Sequence, residues 1–340
     1  MVNSDLDFPR LLPVKRSVKS ARTPHIIKTK PFITLTCLLL LGLSGAFLAP
    51  TSAQQSASPA AIQNFPVNAN PLGLAFDGTN IWVTSSGETK MTVLRASDGA
   101  RVGQFAGGGY TYYATFDGAN IWVTHEDIPG SISKIRASDG QLLGTFPTGN
   151  SPVDVLFDGT YIWTTNYGDN TLTKLLASDG TRVGDFPAGD TPEHLAFDGT
   201  NIWVTNYYTH SVTELRASDG TIVGNFPVDA GPLGIVYDGA NFWIACQAGE
   251  DVVKLSGSDG SFLGKRSVGV TPSSLAFDGT DIWVSVDNED SVKRLSTDRA
   301  RILHVYPTQY IPQGVLFDGT SIWVANHLDN SVTKISPQSD

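Results

Sequence analysis

Short runs of apolar and polar residues alternate along most of the chain, and turn-forming pairs separate them. The stretch from Pro192, PEHLAFDGTNIWVTNYYTHSVTELRASDGTIVGNFPVDAG, holds four such runs: HLAF, IWVT, SVTELR and TIVGNF. Asp-Gly separates the first run from the second and the third from the fourth. This pair favours tight hairpins because glycine tolerates positive φ. No helical period appears after residue 53. The pattern predicts a unit of four short antiparallel strands.

This unit repeats along the chain. The segment FDGTNIWVT at residues 76–84 occurs seven times in all, once more unchanged and five times in related forms. It places all the tryptophans of the chain at one position, 40 or 41 residues apart: Trp82, Trp122, Trp163, Trp203, Trp243, Trp283 and Trp323. Four antiparallel strands in a repeat of about 40 residues are typical of a propeller blade. The fold class is therefore predicted to be all-β, a seven-bladed β-propeller of four-stranded blades.

The two ends of the repeat region complement each other. The last repeat stops after its third strand, SVTKIS, and lacks a fourth. The N-terminal stretch AIQNFPVNANP, residues 61–71, matches the fourth strand and joint IVGNFPVDAGP at residues 222–232. We therefore expect the N-terminal strand to complete the last blade and to close the ring of residues 61–340, which removes an unpaired edge.

The N-terminal 53 residues differ in kind from the repeats. Seven of the 23 lysines and arginines lie in residues 1–30, and the apolar run FITLTCLLLLGLSGAFLA follows at residues 32–49. This order is typical of a secretory signal peptide, with cleavage expected near Ala53. The alternative is an uncleaved membrane anchor, which would tether the protein to the membrane. Either reading predicts an exported protein, whether periplasmic, cell-surface or secreted, with residues 54–60 as a linker.

Composition narrows the classes of partner. Without residues 1–53 the chain keeps sixteen basic and 31 acidic residues, a net charge near −15. Such a surface repels phosphate backbones, so nucleic acid is not expected as a partner. Only one cysteine, Cys246, remains in this part of the chain, which excludes an internal disulfide there. It is expected to be a small buried residue, with a reactive thiol as the alternative.

The ends of the second strands, IWVTN at 202–206, IWTTN at 162–166 and IWVAN at 322–326, resemble the YVTN-type repeats of bacterial propellers. A preceding G-x-x-P joint, as in GNSP at 149–152 and GDTP at 189–192, and a following S-V-T strand, as at 211–213 and 331–333, fit the same resemblance, which covers about residues 61–340. It implies the propeller fold. Related propellers include streptogramin lyases, which use His and Glu with a divalent metal at the channel mouth, and metal-dependent sugar lactonases. Neither enzyme motif is present here residue by residue.

Repeated residues specify the blade, so function is expected where the repeats differ. The tryptophans are predicted to be structural wedges between blades. The positions that open on one face of the ring are polar or aromatic mainly in repeats two to four. The candidate ligand-binding residues there are Tyr112, Tyr113, His125, Glu126, Asp154, Asn166, Glu193, His194, Asn206 and Tyr207. Repeats five to seven mostly carry Gly, Ser or Val at these positions.

Several chemistries suit this set. His125, Asp154 and His194 are candidate ligands of a divalent metal ion, the one cofactor considered. A Glu-His pair suits acid–base catalysis, and tyrosines beside polar groups suit a small planar or sugar ligand. The alternative is a polar funnel that holds only water. DNED at residues 287–290 is read as a solvated turn in preference to a calcium loop.

The sequence as a whole predicts an exported propeller with a binding or scaffold role. Its partner would be a small molecule or a protein ligand held at the channel mouth. A metal-dependent lyase or lactonase acting at the same place is the alternative, and whether the protein is an enzyme stays open.

Overall fold

The computed structural model describes residues 61–337, and the predicted signal or anchor segment and the linker lie outside them. The described residues form 28 β-strands in seven separate four-stranded antiparallel sheets, with one 3₁₀ turn at Asp287–Glu289. The predicted seven-bladed β-propeller is confirmed. Within residues 61–337 no helix has the length and apolar content required to cross a membrane.

Each blade runs from an innermost first strand to an outermost fourth strand. Blade 1 is β2 (Pro71–Phe76), β3 (Asn80–Ser85), β4 (Lys90–Arg95) and β5 (Arg101–Ala106). Blade 2 is β6 (Ala114–Phe116), β7 (Asn120–His125), β8 (Ser131–Arg136) and β9 (Leu142–Pro147). Blade 3 is β10 (Pro152–Phe157), β11 (Tyr161–Asn166), β12 (Thr171–Leu176) and β13 (Arg182–Pro187). Blade 4 is β14 (Pro192–Phe197), β15 (Asn201–Asn206), β16 (Ser211–Arg216) and β17 (Ile222–Pro227).

The remaining blades follow the same order. Blade 5 is β18 (Pro232–Tyr237), β19 (Asn241–Cys246), β20 (Asp251–Ser256) and β21 (Phe262–Ser267). Blade 6 is β22 (Pro272–Phe277), β23 (Asp281–Val286), β24 (Ser291–Ser296) and β25 (Ile302–Pro307). Blade 7 is β26 (Pro312–Phe317), β27 (Ile322–Asn326) and β28 (Ser331–Ser336), with β1 (Ala61–Pro66) as its outer strand.

The repeated Asp-Gly turn is tied to the repeated tryptophan. In blade 1, Asp77 Oδ1 accepts hydrogen bonds from the backbone amides of Thr79 and Asn80, and Oδ2 accepts one from Trp82 Nε1 at 2.8 Å. The indole-to-carboxylate bond recurs in all seven blades at 2.7 to 2.9 Å. The seven glycines of these turns have φ between +91° and +100°, where a Cβ would cause strain. The motif F-D-G-x-x-I-W therefore encodes a hairpin and its packing at once.

The tryptophans fill the boundaries between blades, as predicted. Trp203 of blade 4 stacks on Phe242 of blade 5 with ring centroids 4.2 Å apart, and on Phe226 of its own outer strand at 5.2 Å. All seven indoles are at most 1% exposed. The core is thus a ring of seven inter-blade clusters, one at each boundary, and each cluster contains residues from two neighbouring blades.

The ring is closed in the predicted way. β1 pairs with β28 over its whole length, from Ala61 opposite Ser336 to Pro66 opposite Ser331. Thr333 Oγ1 donates to Asn64 at 2.7 Å, and Phe65 lies 5.8 Å from Trp323. Lys334 reaches from blade 7 to the carbonyl of Ala96 in blade 1 at 2.6 Å. The first and last strands of the described chain therefore share one blade.

Candidate functional site

First strands begin and second strands end on one face of the ring, which we call the mouth. The first strand of six blades carries a register shift just after its proline, for instance between Pro192 and Leu195. Such a bulge interrupts strict alternation and re-aims side chains. Blade 2 has Thr111 in place of the proline, and its strand β6 starts only at Ala114. The non-repeating residues at the mouth therefore sit on irregular backbone.

A repeated hydroxyl holds this irregular backbone in place. Thr165, at the end of a second strand, accepts a hydrogen bond from the Asp154 amide at 2.9 Å. Its hydroxyl then donates to the carbonyl of Glu193 in the next blade at 2.8 Å. Thr84, Thr124, Thr205 and Ser285 make the same pair of contacts in their blades. The repeat thus supplies a rigid frame on which the variable residues are displayed.

Three of the candidate residues meet in the channel. His194 Nδ1 lies 3.3 Å from Asp154 Oδ2, and the ring of Tyr113 meets the His194 ring edge-on at 4.8 Å. The Asp154 carboxylate also accepts the amides of Val155 and Leu195, each at 2.9 Å. Burial alone would lower the pKa of His194, but the attraction of Asp154 raises it above its usual value. These three residues line a cavity of about 150 Å³ that residues from all seven blades enclose.

A second group lies nearer the mouth. Tyr112 packs edge-on against Tyr113 with ring centroids 5.7 Å apart, and its hydroxyl opposes the rise in the pKa of Glu126. Burial raises the pKa of Glu126 to about 7. Burial likewise raises the pKa of Glu193 to about 7, and the negative charges of Glu126 and Asp154 oppose the lowering effect of His194.

Tyrosines complete this group on the side of blades 3 and 4. Burial, with the nearby Tyr208 and Glu193, raises the pKa of Tyr167 to about 12. The pKa of Tyr207 is raised by burial and by Glu193. Tyr207 donates to Gln247 of blade 5 at 3.2 Å and packs edge-on against Tyr208. We call Tyr112, Glu126, Tyr167, Glu193 and Tyr207 the mouth cluster.

Three candidates lie elsewhere, inside the blades. His125 Nδ1 donates to the Tyr110 carbonyl at 2.8 Å, so Nε2 accepts from Ser133 Oγ, also at 2.8 Å. Burial lowers its pKa, which keeps the ring neutral. Asn166 and Asn206 occupy the equivalent position and donate to Thr173 and Thr213 on the third strand. All three side chains are fully buried, so they join strands and do not face the mouth.

The expected metal ligands do not come together. Both ring nitrogens of His125 are committed to its own blade, which leaves Asp154 and His194 as a pair. Within the described part of the chain no group of three or more His, Cys, Asp or Glu side chains is arranged to hold a metal ion. The residues present do not fit the divalent metal considered from the sequence.

One buried acid at the mouth was not among the sequence candidates. Asp287 is 1% exposed and accepts hydrogen bonds from Ser273 Oγ at 2.6 Å and Gln313 Nε2 at 2.8 Å. Burial raises its pKa to about 8. The solvated turn expected for residues 287–290 is therefore wrong for Asp287. It follows a second strand by one residue, as Glu126, Tyr167 and Tyr207 do, and this shared position would have identified it.

Comparison with known proteins agrees with the fold. The chain is similar in structure to a streptogramin B lyase, with 19% identity and a TM-score of 0.70, over 82% of this chain and 98% of the lyase chain. It is also similar to Kuenenia stuttgartiensis hydrazine synthase, with 17% identity and a TM-score of 0.70, over 85% of this chain and 99% of that chain. No protein-family model and no curated protein matches. A distant relationship to propellers of this kind is confirmed, and at these identities it concerns the fold alone.

Proposed function

We propose that this protein is a binding protein that takes a small polar ligand at the mouth of its channel, against blades 2 to 4. The observation that carries the proposal is the cavity in the channel, where the Tyr113 ring meets the His194 ring edge-on at 4.8 Å and His194 Nδ1 lies 3.3 Å from Asp154 Oδ2. The Glu193 carboxyl belongs to the residue before His194, and burial raises its pKa to about 7, so a bound group that donates a hydrogen bond to it would stabilise its charged form.

The surroundings of Glu193 support a ligand in preference to a purely structural role. The repeated hydroxyls fix its backbone, so the side chain is not needed to hold the strand. The cavity lined by Tyr113, Asp154 and His194 lies one residue deeper along the same strands. Aromatic faces beside a few convergent polar groups are the usual make-up of a small-molecule site.

Export is part of the same proposal. It rests on the basic, apolar and small-residue order of residues 1–53. Fractionation of cells that express the full chain tests it, since protein recovered only with the cytoplasm would contradict export.

A ligand screen tests the binding site. Purified protein is melted with a library of sugars, amino acids, amines and carboxylates, beside a Glu193→Ala, Tyr207→Ala double variant. His125→Asn is the matched control, because blades 3, 4 and 7 carry Asn at that buried position. We expect at least one compound to stabilise the wild type and the control and to leave the double variant unaffected. If no compound does so, the proposal is wrong.

A further inference from the structure

The channel cavity has two unlike sides. Blades 2 to 4 form a polar side, to which each blade contributes one residue: Tyr113, Asp154 and His194. The opposite side is mostly aliphatic and comes from blades 1, 5, 6 and 7, with these side chains: Leu74, Ile235, Leu275 and Val315. A molecule that fills the cavity therefore meets hydrogen-bonding groups on one side and hydrocarbon on the other.

The hydrogen bonds on the polar side determine which atom a ligand can contact. Asp154 Oδ1 accepts a hydrogen bond from the Val155 amide and Oδ2 accepts one from the Leu195 amide, each at 2.9 Å. Oδ2 also lies 3.3 Å from His194 Nδ1, so this ring nitrogen faces the carboxylate. The other ring nitrogen, Nε2, is left for a bound molecule. The aspartate thus orients the histidine, and the histidine presents a hydrogen-bonding group to the ligand.

The volume of the cavity limits the size of the molecule. The cavity measures about 150 Å³. An apolar protein cavity of about this volume holds one benzene molecule. The channel cavity therefore has room for one six-membered ring and few further atoms, and a disaccharide or a peptide is too large to lie inside it.

The two sides of the cavity define the chemistry of this ring. The aliphatic side chains favour a face of carbon atoms and would leave the hydroxyls of a sugar without partners, which costs free energy. A plain hydrocarbon would bury His194 Nε2 without a partner. A single hydroxyl suits Nε2, because a hydroxyl both donates and accepts and so pairs with the neutral and the protonated imidazole alike. A carboxylate would lie close to Asp154, which repels it.

We propose that the ligand is a six-membered carbon ring with one hydroxyl, a simple phenol or cyclohexanol, bound inside the channel. Its hydroxyl lies against His194 Nε2, and its carbon face lies against the aliphatic side of the cavity. This inference rests on the proposed binding function and names the class of its ligand.

Three probes with one ring test the chemistry. Phenol and toluene have nearly the same shape and differ by a hydroxyl in place of a methyl group, and benzoate carries a negative charge. Titration calorimetry on the purified protein at about pH 7, where a phenol is neutral, should show binding of phenol. We expect toluene to bind at least about tenfold more weakly, since a buried hydrogen-bonding atom without a partner costs a factor of that order, and benzoate not to bind. Cyclohexanol and methylcyclohexane repeat the comparison without an aromatic ring.

Two variants locate the binding. His194→Phe keeps a ring of similar size and removes Nε2, so the affinity ratio of phenol to toluene should fall to about one or below. This ratio compares two ligands on the same protein, and a loss of stability alone does not change it. The same exchange in His304→Phe is the matched control, because His304 is exposed on the outer strand of blade 6. Ala114 also lines the cavity, so Ala114→Leu should fill it and abolish binding of both rings.

Each outcome decides the inference. Equal binding of phenol and toluene, an unchanged ratio in His194→Phe, undiminished phenol binding by folded Ala114→Leu, or no binding of phenol and cyclohexanol would overturn it. In those cases a sugar, amino acid or amine that stabilises the wild type and not the Glu193→Ala, Tyr207→Ala variant would leave the binding function standing. If the library contains no such compound either, the binding function is wrong as well.

Discussion

Replacement of Trp203 probes whether the inter-blade ring carries the stability of this fold. The indole is fully buried, lies 4.2 Å from Phe242 of the next blade, and donates to Asp198 at 2.9 Å. Trp203→Ala should cost about 3 to 5 kcal/mol, the usual range for a buried aromatic truncated to alanine. Trp203→Phe keeps most of the packing and removes the hydrogen bond to a carboxylate, which should cost about 1.5 to 3 kcal/mol.

Urea unfolding followed by circular dichroism measures both changes as shifts of the midpoint at constant slope. Phe262→Ala is the control, because Phe262 lies on the outer strand of blade 5 and is 60% exposed. Its loss should cost about 0.5 kcal/mol or less. The expected order of destabilisation is Trp203→Ala, then Trp203→Phe, then Phe262→Ala. A loss below about 1 kcal/mol for Trp203→Ala would refute the argument, since truncation of a buried tryptophan to alanine typically costs about 3 to 5 kcal/mol.

Two further predictions concern ring closure and a buried acid. Deletion of residues 61–66 removes the outer strand of blade 7 and its contact with Trp323, so the melting temperature should fall; an unchanged melting temperature would contradict closure by β1. Burial raises the pKa of Asp287 to about 8 in the folded protein, whereas the unfolded chain has the normal value. The folded state therefore binds this proton more tightly, and the free energy of unfolding should fall as the pH rises from about 4 to 8. Asp287→Asn should flatten the melting temperature measured from pH 5 to pH 8, whereas parallel curves for variant and wild type would refute this.

The architecture could be predicted from the sequence because every level of it is local or repeated. The Asp-Gly pair and the tryptophan five residues after the Asp specify one hairpin, in which Trp82 Nε1 donates its hydrogen bond to the carboxylate of Asp77. Seven copies specify seven blades. The match between residues 61–71 and 222–232 predicted the closing strand, since a repeat that lacks its last strand must borrow one.

The tertiary structure decided which variable residues face the ligand side. His125 and Glu126 are neighbours in sequence, yet the strand directs the first into its own blade and the second to the mouth. Successive side chains of a strand point to opposite faces, so the sequence predicts these directions only if the last residue of the strand is known. In the first strands a bulge breaks alternation, so that Glu193 and His194, also consecutive, both reach the mouth and channel.

Burial by neighbouring blades was equally invisible in the sequence. Asp287 reads as part of an acidic turn, but Ser273 from its own blade and Gln313 from the next enclose it. Glu126 and Glu193 belong to blades 2 and 4, which are not adjacent. The electrostatic repulsion between their carboxyls therefore depends on how the closed ring places the two blades. The sequence by itself determined the repeated frame, because its contacts lie within one repeat or at one fixed offset. The site depends on contacts between repeats that differ, and only the closed ring brings those together.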